Sequence, residues 1–231
     1  MDNTQAIPRT LGLIMDGNGR WAEKQNQLRP QGHTAGIYHM ISLVEHAFER
    51  GVKNVVCYGL STENLERPKE ELEHIHQLML DVFDLFVTTF SKLRVGVKYI
   101  GKLNAMPQAV QDSMKRSEEA LSKFAADRML YIAVAYGSRF ELIEAVNRAV
   151  EKGERVSEES FLASLSMPLE PDLIIRTGGE QRLSNFLLYQ ASYSELYFSD
   201  KLFPEFSNED VDAALEWYKS RKRRFGLLDG E

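Results

Sequence analysis

Cysteine is nearly absent from this chain: Cys57 is the single one in 231 residues. One cysteine excludes an internal disulfide and any metal centre built on paired thiolates. Inside an apolar strand it reads as a small core residue. Long apolar runs are missing too, and nothing approaches the ~20 residues of a membrane-spanning helix. The N-terminal stretch lacks a signal-peptide pattern, so a cytoplasmic protein is expected. An excess of positive charge is also lacking. With 28 Lys and Arg against 34 Asp and Glu the formal net charge is −6, which argues against general affinity for nucleic acid and leaves the arginines to act locally. Repeats, low-complexity tracts and linkers are absent. What remains, 43% hydrophobic and 27% charged residues, is ordinary globular composition, long enough to build a real core as one domain over 1–231.

The apolar pattern alternates between short strands and longer helices. Strands are predicted near 11–15, 53–59, 95–100, 128–135, 172–176 and 195–198, and helices near 33–50, 68–92, 107–125, 138–152 and 207–222. Ile37, Ile41, Val44 and Phe48 recur as one helix face requires. Pro68 before Lys69-Glu70-Glu71 is a good helix start, with acids near the positive end of the dipole. From Leu78 to Phe90 the same helix carries Met79, Leu80, Val82, Phe83, Leu85, Phe86 and Val87, too many for one stripe, so a fully buried or dimer-contacting helix is expected. Alternation of this kind predicts an α/β fold, a mainly parallel sheet covered by helices, with ligands at the carboxyl ends of the strands. Asp16, Ser61 and Arg176 fall at such ends.

At the first of these ends lies Leu13-Ile14-Met15-Asp16-Gly17-Asn18-Gly19-Arg20-Trp21-Ala22. A strand hands over to a helix N-terminus there, and free backbone N–H groups favour an anion such as phosphate. Gly17 and Gly19 keep Cβ atoms out of the way, Arg20 supplies a forked donor, and Asp16 is a hard-oxygen ligand for Mg²⁺. The competing reading is a tight turn in which glycine only supplies unusual backbone angles. The spacing is neither a Rossmann fingerprint nor a P-loop. A second cluster, Asp172 to Phe186, again runs a strand into a Gly-rich loop. Arg176, Arg182 and Ser184 are the candidate donors to a second phosphate. Further on, Glu195 stands alone in an aromatic strand, Tyr193-Ser194-Glu195-Leu196-Tyr197-Phe198.

These blocks resemble the cis-prenyltransferases, the undecaprenyl diphosphate synthase family. The matching pieces are M-D-G-N-G-R-W-A at 15–22, R-P-x-G-H-x-x-G at Arg29–Gly36, S-T-E-N-x-x-R-P at Ser61–Pro68, I-R-T-G-G-E-Q-R-L-S-N-F at Ile175–Phe186, S-E-L-Y-F at Ser194–Phe198 and R-R-F-G at Arg223–Gly226. The resemblance implies a hydrophobic tunnel walled partly by the 68–92 helix. It also implies condensation of isopentenyl diphosphate with an allylic diphosphate, farnesyl diphosphate above all, to a polyprenyl and specifically undecaprenyl diphosphate. Asp16 would hold Mg²⁺, with Glu195 completing the metal environment. Gly17, Asn18, Gly19, Arg20, Trp21, Arg29 and His33 would bind the allylic diphosphate, and Arg176, Arg182 and Ser184 that of isopentenyl diphosphate. Ser61, Glu63, Asn64 and Arg67 would line the region between, with Asn64 a candidate for assisting proton removal. Without the resemblance, His33 reads equally well as a helix cap and Glu63 as a first-turn acid. A homodimer is implied as well, touching a membrane only through its lipid product. The terminal basic run reads as a solvated tail or as an arm reaching a neighbouring subunit.

The departures from the family pattern leave the phosphate ligands intact. Thr10 stands where the family has histidine, Leu60 and Leu65 replace aromatics, and Tyr131, Ala135 and Ser138 depart from N-I-A-x-N-Y-G-G-R, in which Tyr136, Gly137 and Arg139 remain. A short-chain product and a non-catalytic partner subunit are the alternatives to a medium-chain synthase. Retention of Asp16, Arg20, Arg176, Arg182, Ser184 and Glu195 argues against the partner subunit.

Overall fold

The computed structural model describes residues 7–225. Its centre is a six-stranded sheet in which every pairing is parallel, in the order β3-β4-β2-β1-β5-β6. The strands are β1 (Thr10–Ile14), β2 (Asn54–Tyr58), β3 (Gly96–Ile100), β4 (Met129–Ala133), β5 (Leu173–Arg176) and β6 (Glu195–Phe198). Around them lie α1 (Asn18–Lys24), α2 (Arg29–Glu49), α3 (Lys69–Asp81), α4 (Phe83–Lys92), α5 (Gln108–Leu121), α6 (Ser138–Lys152), α7 (Glu158–Ser164) and α8 (Asn208–Lys219).

A parallel sheet needs cover on both faces, and the period-two alternation of the strands supplies two separate cores. Leu11 and Leu13, Val55 and Cys57, Leu130 and Ile132, Leu173 and Ile175 face one side, where they meet Val44 and Phe48 of α2, Phe90 of α4 and Met114 of α5. Ile14, Val56, Tyr131 and Ile174 face the other side, packed with Met167, Phe186 and Leu187. Each fully buried Leu, Ile or Phe contributes about 1.5–3 kcal/mol of hydrophobic transfer. Cys57 is a core residue, and burial pushes its thiol pKa up, so it is inert.

The chain leaves β1 toward β2 on one side and leaves β5 toward β6 on the other. The crevice between β1 and β5 is therefore the switch point at which ligands bind in sheets of this kind. Ile14 pairs with Arg176 across it, so Asp16 and Arg176 project from the same end.

Four local expectations change. The 68–92 helix is two helices, interrupted at Val82 (φ −89°, ψ 1°). α2 begins at Arg29 rather than 33, with Pro30 in its first turn, where its missing N–H costs nothing. Helix α7 was not expected; its signal is Ser157, whose Oγ accepts from Ser160 N at 3.2 Å as an N-cap. The tail also departs from a solvated arm: Arg223 donates to Asp172 Oδ1 at 2.6 Å and to the carbonyl of Tyr193 at 3.1 Å. Gly226 of that motif lies outside the described residues.

Candidate active site

The backbone of Asp16 is pinned before its side chain does anything. Its N–H donates to Thr177 Oγ1 at 3.1 Å, and its carbonyl accepts from Thr177 Oγ1 at 2.8 Å and from Phe203 N at 3.0 Å. The carboxylate is shared by two guanidinium groups, Arg20 at 2.9 Å and Arg176 at 3.0 Å. Arg176 is buried, with its side chain 5% exposed. It also donates to Ser184 Oγ at 2.8 Å and to the carbonyl of Arg182. Its Nε is buried with no partner among the described residues.

The loop that presents Ser184 is strained. Ser184 (φ +49°) and Asn185 (φ +64°) are left-handed residues that lack glycine's freedom, at a cost of about 1–3 kcal/mol each. Tyr58 holds the loop: its hydroxyl donates to the carbonyls of Ser184 and Tyr136 at 3.2 and 3.1 Å, and its ring stacks on Phe186 at 4.6 Å. Burial raises the Tyr58 pKa, so the phenol stays a neutral donor. Arg182 was expected as a phosphate-gripping side chain. Instead its exposed guanidinium turns to Glu180 at 2.5 Å, and its backbone carbonyl, not its charge, meets Arg176.

The two motif glycines make room for the protein itself. Gly17 has φ +111°, and a Cβ there would lie 2.8 Å from Leu202 Cδ2; one on Gly19 would lie 2.6 Å from Arg29 Cζ. The tight-turn reading therefore holds for Gly17. Helix α1 opens at Asn18, whose side chain lines the cavity with its Oδ1 buried and unpartnered among the described residues. Trp21 is not among the cavity-lining residues.

Where α2 meets α3, one acid collects the cations. Glu71 accepts from His33 Nε2 at 2.9 Å and from Arg67 at 3.1 Å, with Arg29 3.9 Å away; Arg29 also pairs with Glu23 at 3.0 Å. Sequence reasoning saw Glu71 only as a first-turn acid, although its i, i+4 spacing from Arg67 was visible. Burial lowers the His33 pKa, and the nearby Arg67 and Arg29 charges add to this against the pull of Glu71. His33 is thus neutral near pH 7 and donates its Nε2–H, because an ionised carboxylate only accepts. Burial works against ionisation of Glu71, but the His33 hydrogen bond and both arginines outweigh it and hold its pKa low.

The loop after β2 completes the rim. Ser61 N donates to Asn64 Oδ1 and Asn64 N to Ser61 Oγ, at 3.2 and 3.1 Å. Glu63 accepts from Asn185 Nδ2 and Thr62 Oγ1, both at 3.0 Å. Burial opposes its ionisation, but these hydrogen bonds prevail and its pKa is lowered.

All these elements surround one cavity of about 640 Å³. Asp16, Asn18, His33, Ser61, Glu63, Asn64, Arg67, Arg176 and Ser184 line its polar part. The rest is apolar, between Met40 of α2, Leu78, Met79, Val82, Phe83 and Phe86 of α3 and α4, and Val110 and Met114 of α5, with Leu60 replacing the expected aromatic. The surplus of apolar residues in α3 and α4 therefore has two causes: Phe90 and Leu80 serve the core, while Leu78, Met79, Val82, Phe83 and Phe86 wall a cavity.

Glu195 does not join Asp16 within one chain. It opens β6 beside Leu173, at the end of the sheet where the strands start, and accepts from Arg221 Nε at 3.1 Å. Among the described residues no group of three His, Cys, Asp or Glu could hold a metal. A lone carboxylate among arginines still fits Mg²⁺, which keeps several waters and takes its remaining ligands from substrate phosphates.

The comparisons with known proteins agree with this geometry. The family described as "Putative undecaprenyl diphosphate synthase" matches residues 14–226. An isoprenyl transferase of Thermotoga maritima is 42% identical, covering 97% of this chain and 99% of the relative. A ditrans,polycis-undecaprenyl-diphosphate synthase ((2E,6E)-farnesyl-diphosphate specific) of Haemophilus influenzae is 37% identical, covering 98% of each. Among solved structures, lavandulyl diphosphate synthase from Lavandula x intermedia in complex with dimethylallyl diphosphate superposes with a TM-score of 0.91 at 30% identity, over 96% of this chain and 99% of the other. A probable undecaprenyl diphosphate synthase from Campylobacter jejuni gives 0.81 at 32% identity, over 95% and 98%.

Proposed function

This chain belongs to the undecaprenyl diphosphate synthase family of prenyl transferases, and we propose that it elongates an allylic prenyl diphosphate, farnesyl diphosphate first, with isopentenyl diphosphate to give undecaprenyl diphosphate. The observation that carries this reading is the shape of this cavity, arginine-rich at the rim and apolar within. Such a cavity suits a molecule with a diphosphate head and a hydrocarbon tail.

In each round a C–C bond forms between C4 of isopentenyl diphosphate and C1 of the allylic substrate. The allylic C1–O bond breaks, its electrons leave with the diphosphate, and loss of a C2 proton creates the cis double bond. Arg29 and His33 hold the allylic diphosphate, with Arg20 and the first backbone N–H groups of α1. Arg176 and Ser184 hold the diphosphate of isopentenyl diphosphate, and Arg67 balances charge between the two. Donors fixed in advance in a cavity that excludes water stabilise the departing diphosphate without reorganising. Asn64, locked to Ser61, orients the group that loses its proton. Mg²⁺ would be held by Asp16 together with substrate oxygens, and when bound it supplies charge that eases departure of the diphosphate.

A shorter prenyl product is the second reading, favoured by a volume of about 640 Å³, within the usual range of small-molecule sites. The deciding experiment incubates the protein with labelled isopentenyl diphosphate and either geranyl or farnesyl diphosphate, then sizes the products. Undecaprenyl chains support the first reading, short chains the second, and no extension at all would remove both.

We assign dimerisation to α6, where Ile143, Val146 and Val150 share an exposed face. Sedimentation should give a dimer that Val150→Glu weakens; a monomeric wild type would end the assignment. Among the described residues no helix is long and apolar enough to cross a membrane. A cytoplasmic enzyme that meets the membrane through its product is the proposal that follows; fractionation of cells tests it.

A further inference from the structure

The guanidinium groups assigned to the two diphosphates are already engaged inside the protein. Arg20 and Arg176 divide Asp16, Arg29 and Arg67 meet Glu71, and Arg182 pairs with Glu180. Arg139 lines the same cavity and differs from all of these. Among the described residues its hydrogen bond runs through the backbone N–H, and its guanidinium meets no carboxylate, carbonyl or ring.

Its position is nevertheless fixed. Asn185 accepts from Arg139 N at its Oδ1 (3.0 Å), accepts from Ser138 N at its carbonyl (2.8 Å), and donates from Nδ2 to Glu63 at 3.0 Å. This left-handed residue clamps the start of α6 to the loop carrying Ser184, the partner of Arg176. Arg176 alternates with Ile175 along β5, so it lies on the sheet face of Ile174, Phe186 and Leu187. Helix α2, which bears Arg29 and His33, packs on the opposite face. Arg139 is therefore rooted one residue from Ser184 and across the sheet from the other cation cluster.

Asp16 is already shared by Arg20 and Arg176, and Glu63 is answered by the neutral Asn185 and Thr62, so the Arg139 guanidinium is left unmatched beside Arg176. Holding like charges together is favourable only when a polyanion joins them. The buried, unpartnered Nε of Arg176 points to the same missing acceptor.

We propose that Arg139 is a further binding residue of this active site, contacting the diphosphate held by Arg176 and Ser184 and leaving the allylic one untouched. The inference rests on the two-diphosphate reading above. Arg139→Ala should raise the KM for isopentenyl diphosphate about 10- to 100-fold, the span of a hydrogen bond to a charged group, with the KM for farnesyl diphosphate unchanged. Calorimetric titration with isopentenyl diphosphate and Mg²⁺ alone should show the same loss without turnover. Arg139→Lys, which keeps charge but not the fork, should fall between. The melting temperature should stay at the wild-type value, because the side chain holds nothing in the free protein. Arg176→Ala and Arg29→Ala serve as references for the two positions. If Arg176→Ala loses isopentenyl diphosphate while Arg139→Ala binds it normally, the inference fails and the two-position reading stands. Equal weakening of both substrates by Arg139→Ala would reduce it to a diffuse charge effect. If Arg176→Ala also binds normally, the two-position reading falls and takes the inference with it.

Discussion

The two ends of the sheet use the same interactions and finish them differently. Where the strands start, Asp172 has both oxygens answered: Thr10 N donates to Oδ2 at 2.9 Å and Arg223 to Oδ1 at 2.6 Å. Beside it, Glu195 is met by Arg221. Where the strands finish, Asp16 is matched by two arginines, yet Arg176 Nε and Asn18 Oδ1 stay buried without partners among the described residues. Ala135, Ser184, Asn185 and Leu187 take left-handed backbone near that end, against Arg94 and Phe225 near the other. An unanswered buried polar atom costs about 1–3 kcal/mol. The closed end holds the fold; the open end spends part of that stability on keeping polar groups free for a ligand.

Breaking the open end should change chemistry most. Asp16→Ala should still fold, since its backbone is held by Thr177 and Phe203, but its melting temperature should drop, because the buried Arg176 loses its carboxylate. Turnover with Mg²⁺ should drop at least about 10²–10³-fold, as loss of a key electrostatic group does, and chelation should silence the wild type. Near-normal turnover in the variant would show that the carboxylate only ties two arginines together.

The closed end should respond in the opposite currency. Asp172 and Arg223 have side chains only 16% and 13% exposed, and unmatching such a pair costs about 3 kcal/mol. Asp172→Asn should therefore lower the denaturation midpoint strongly while leaving turnover per folded molecule unchanged. A stable variant with altered KM values would mean that the two ends are not separate.

The strands were legible in the sequence because their apolar runs are short and end at the residues that carry chemistry: Asp16, Ser61 and Arg176 stand where the pattern put them. The break at Val82 was not, because no proline or glycine marks it; the helix bends around a cavity that only the folded chain creates. Among site residues, motif identity located Arg176 and Ser184, but the folded chain decided the rest. Glu195 sits at the far end of its strand, a fact that depends on which end of a parallel strand a residue occupies, and Arg182 turns outward to Glu180 within its own loop. Glu71 and Asn185 were missed because each acts across a contact between distant segments, 38 residues for His33–Glu71 and 122 for Glu63–Asn185.

Acid should loosen the open end first. Burial places the folded pKa of His33 below its ordinary value of 6.5, so below that pH the unfolded chain holds the extra proton. The contribution is intact above about pH 6.5 and is lost as pH falls through the folded pKa. Glu71, also lowered, adds its loss further down, below its ordinary 4.5. Melting temperatures from pH 7.5 to 5.5 should fall more steeply for the wild type than for His33→Gln, with hydrogen exchange rising first where α2 meets α3. Parallel slopes would remove His33 as the cause.

The smallest effect reads backbone strain directly. Ala135 is fully buried at φ +48°, where the resembled family carries asparagine, and its carbonyl accepts from Lys102 N at 3.0 Å. An L-residue there gives up about 1–2 kcal/mol that glycine does not. Ala135→Gly recovers that strain, but it loses a buried methyl, about 0.8 kcal/mol, and about 0.4–1 kcal/mol to a freer unfolded chain. These terms nearly cancel, so its melting temperature should stay close to the wild-type value. Ala47, equally buried but inside α2, has no strain to recover, and Ala47→Gly should cost at least about 1 kcal/mol. The gap between the two variants measures the strain stored beside the site. If Ala135→Gly destabilised as much as Ala47→Gly, the left-handed backbone would carry no cost, and the open end would differ from the closed one by its unpaired polar atoms alone.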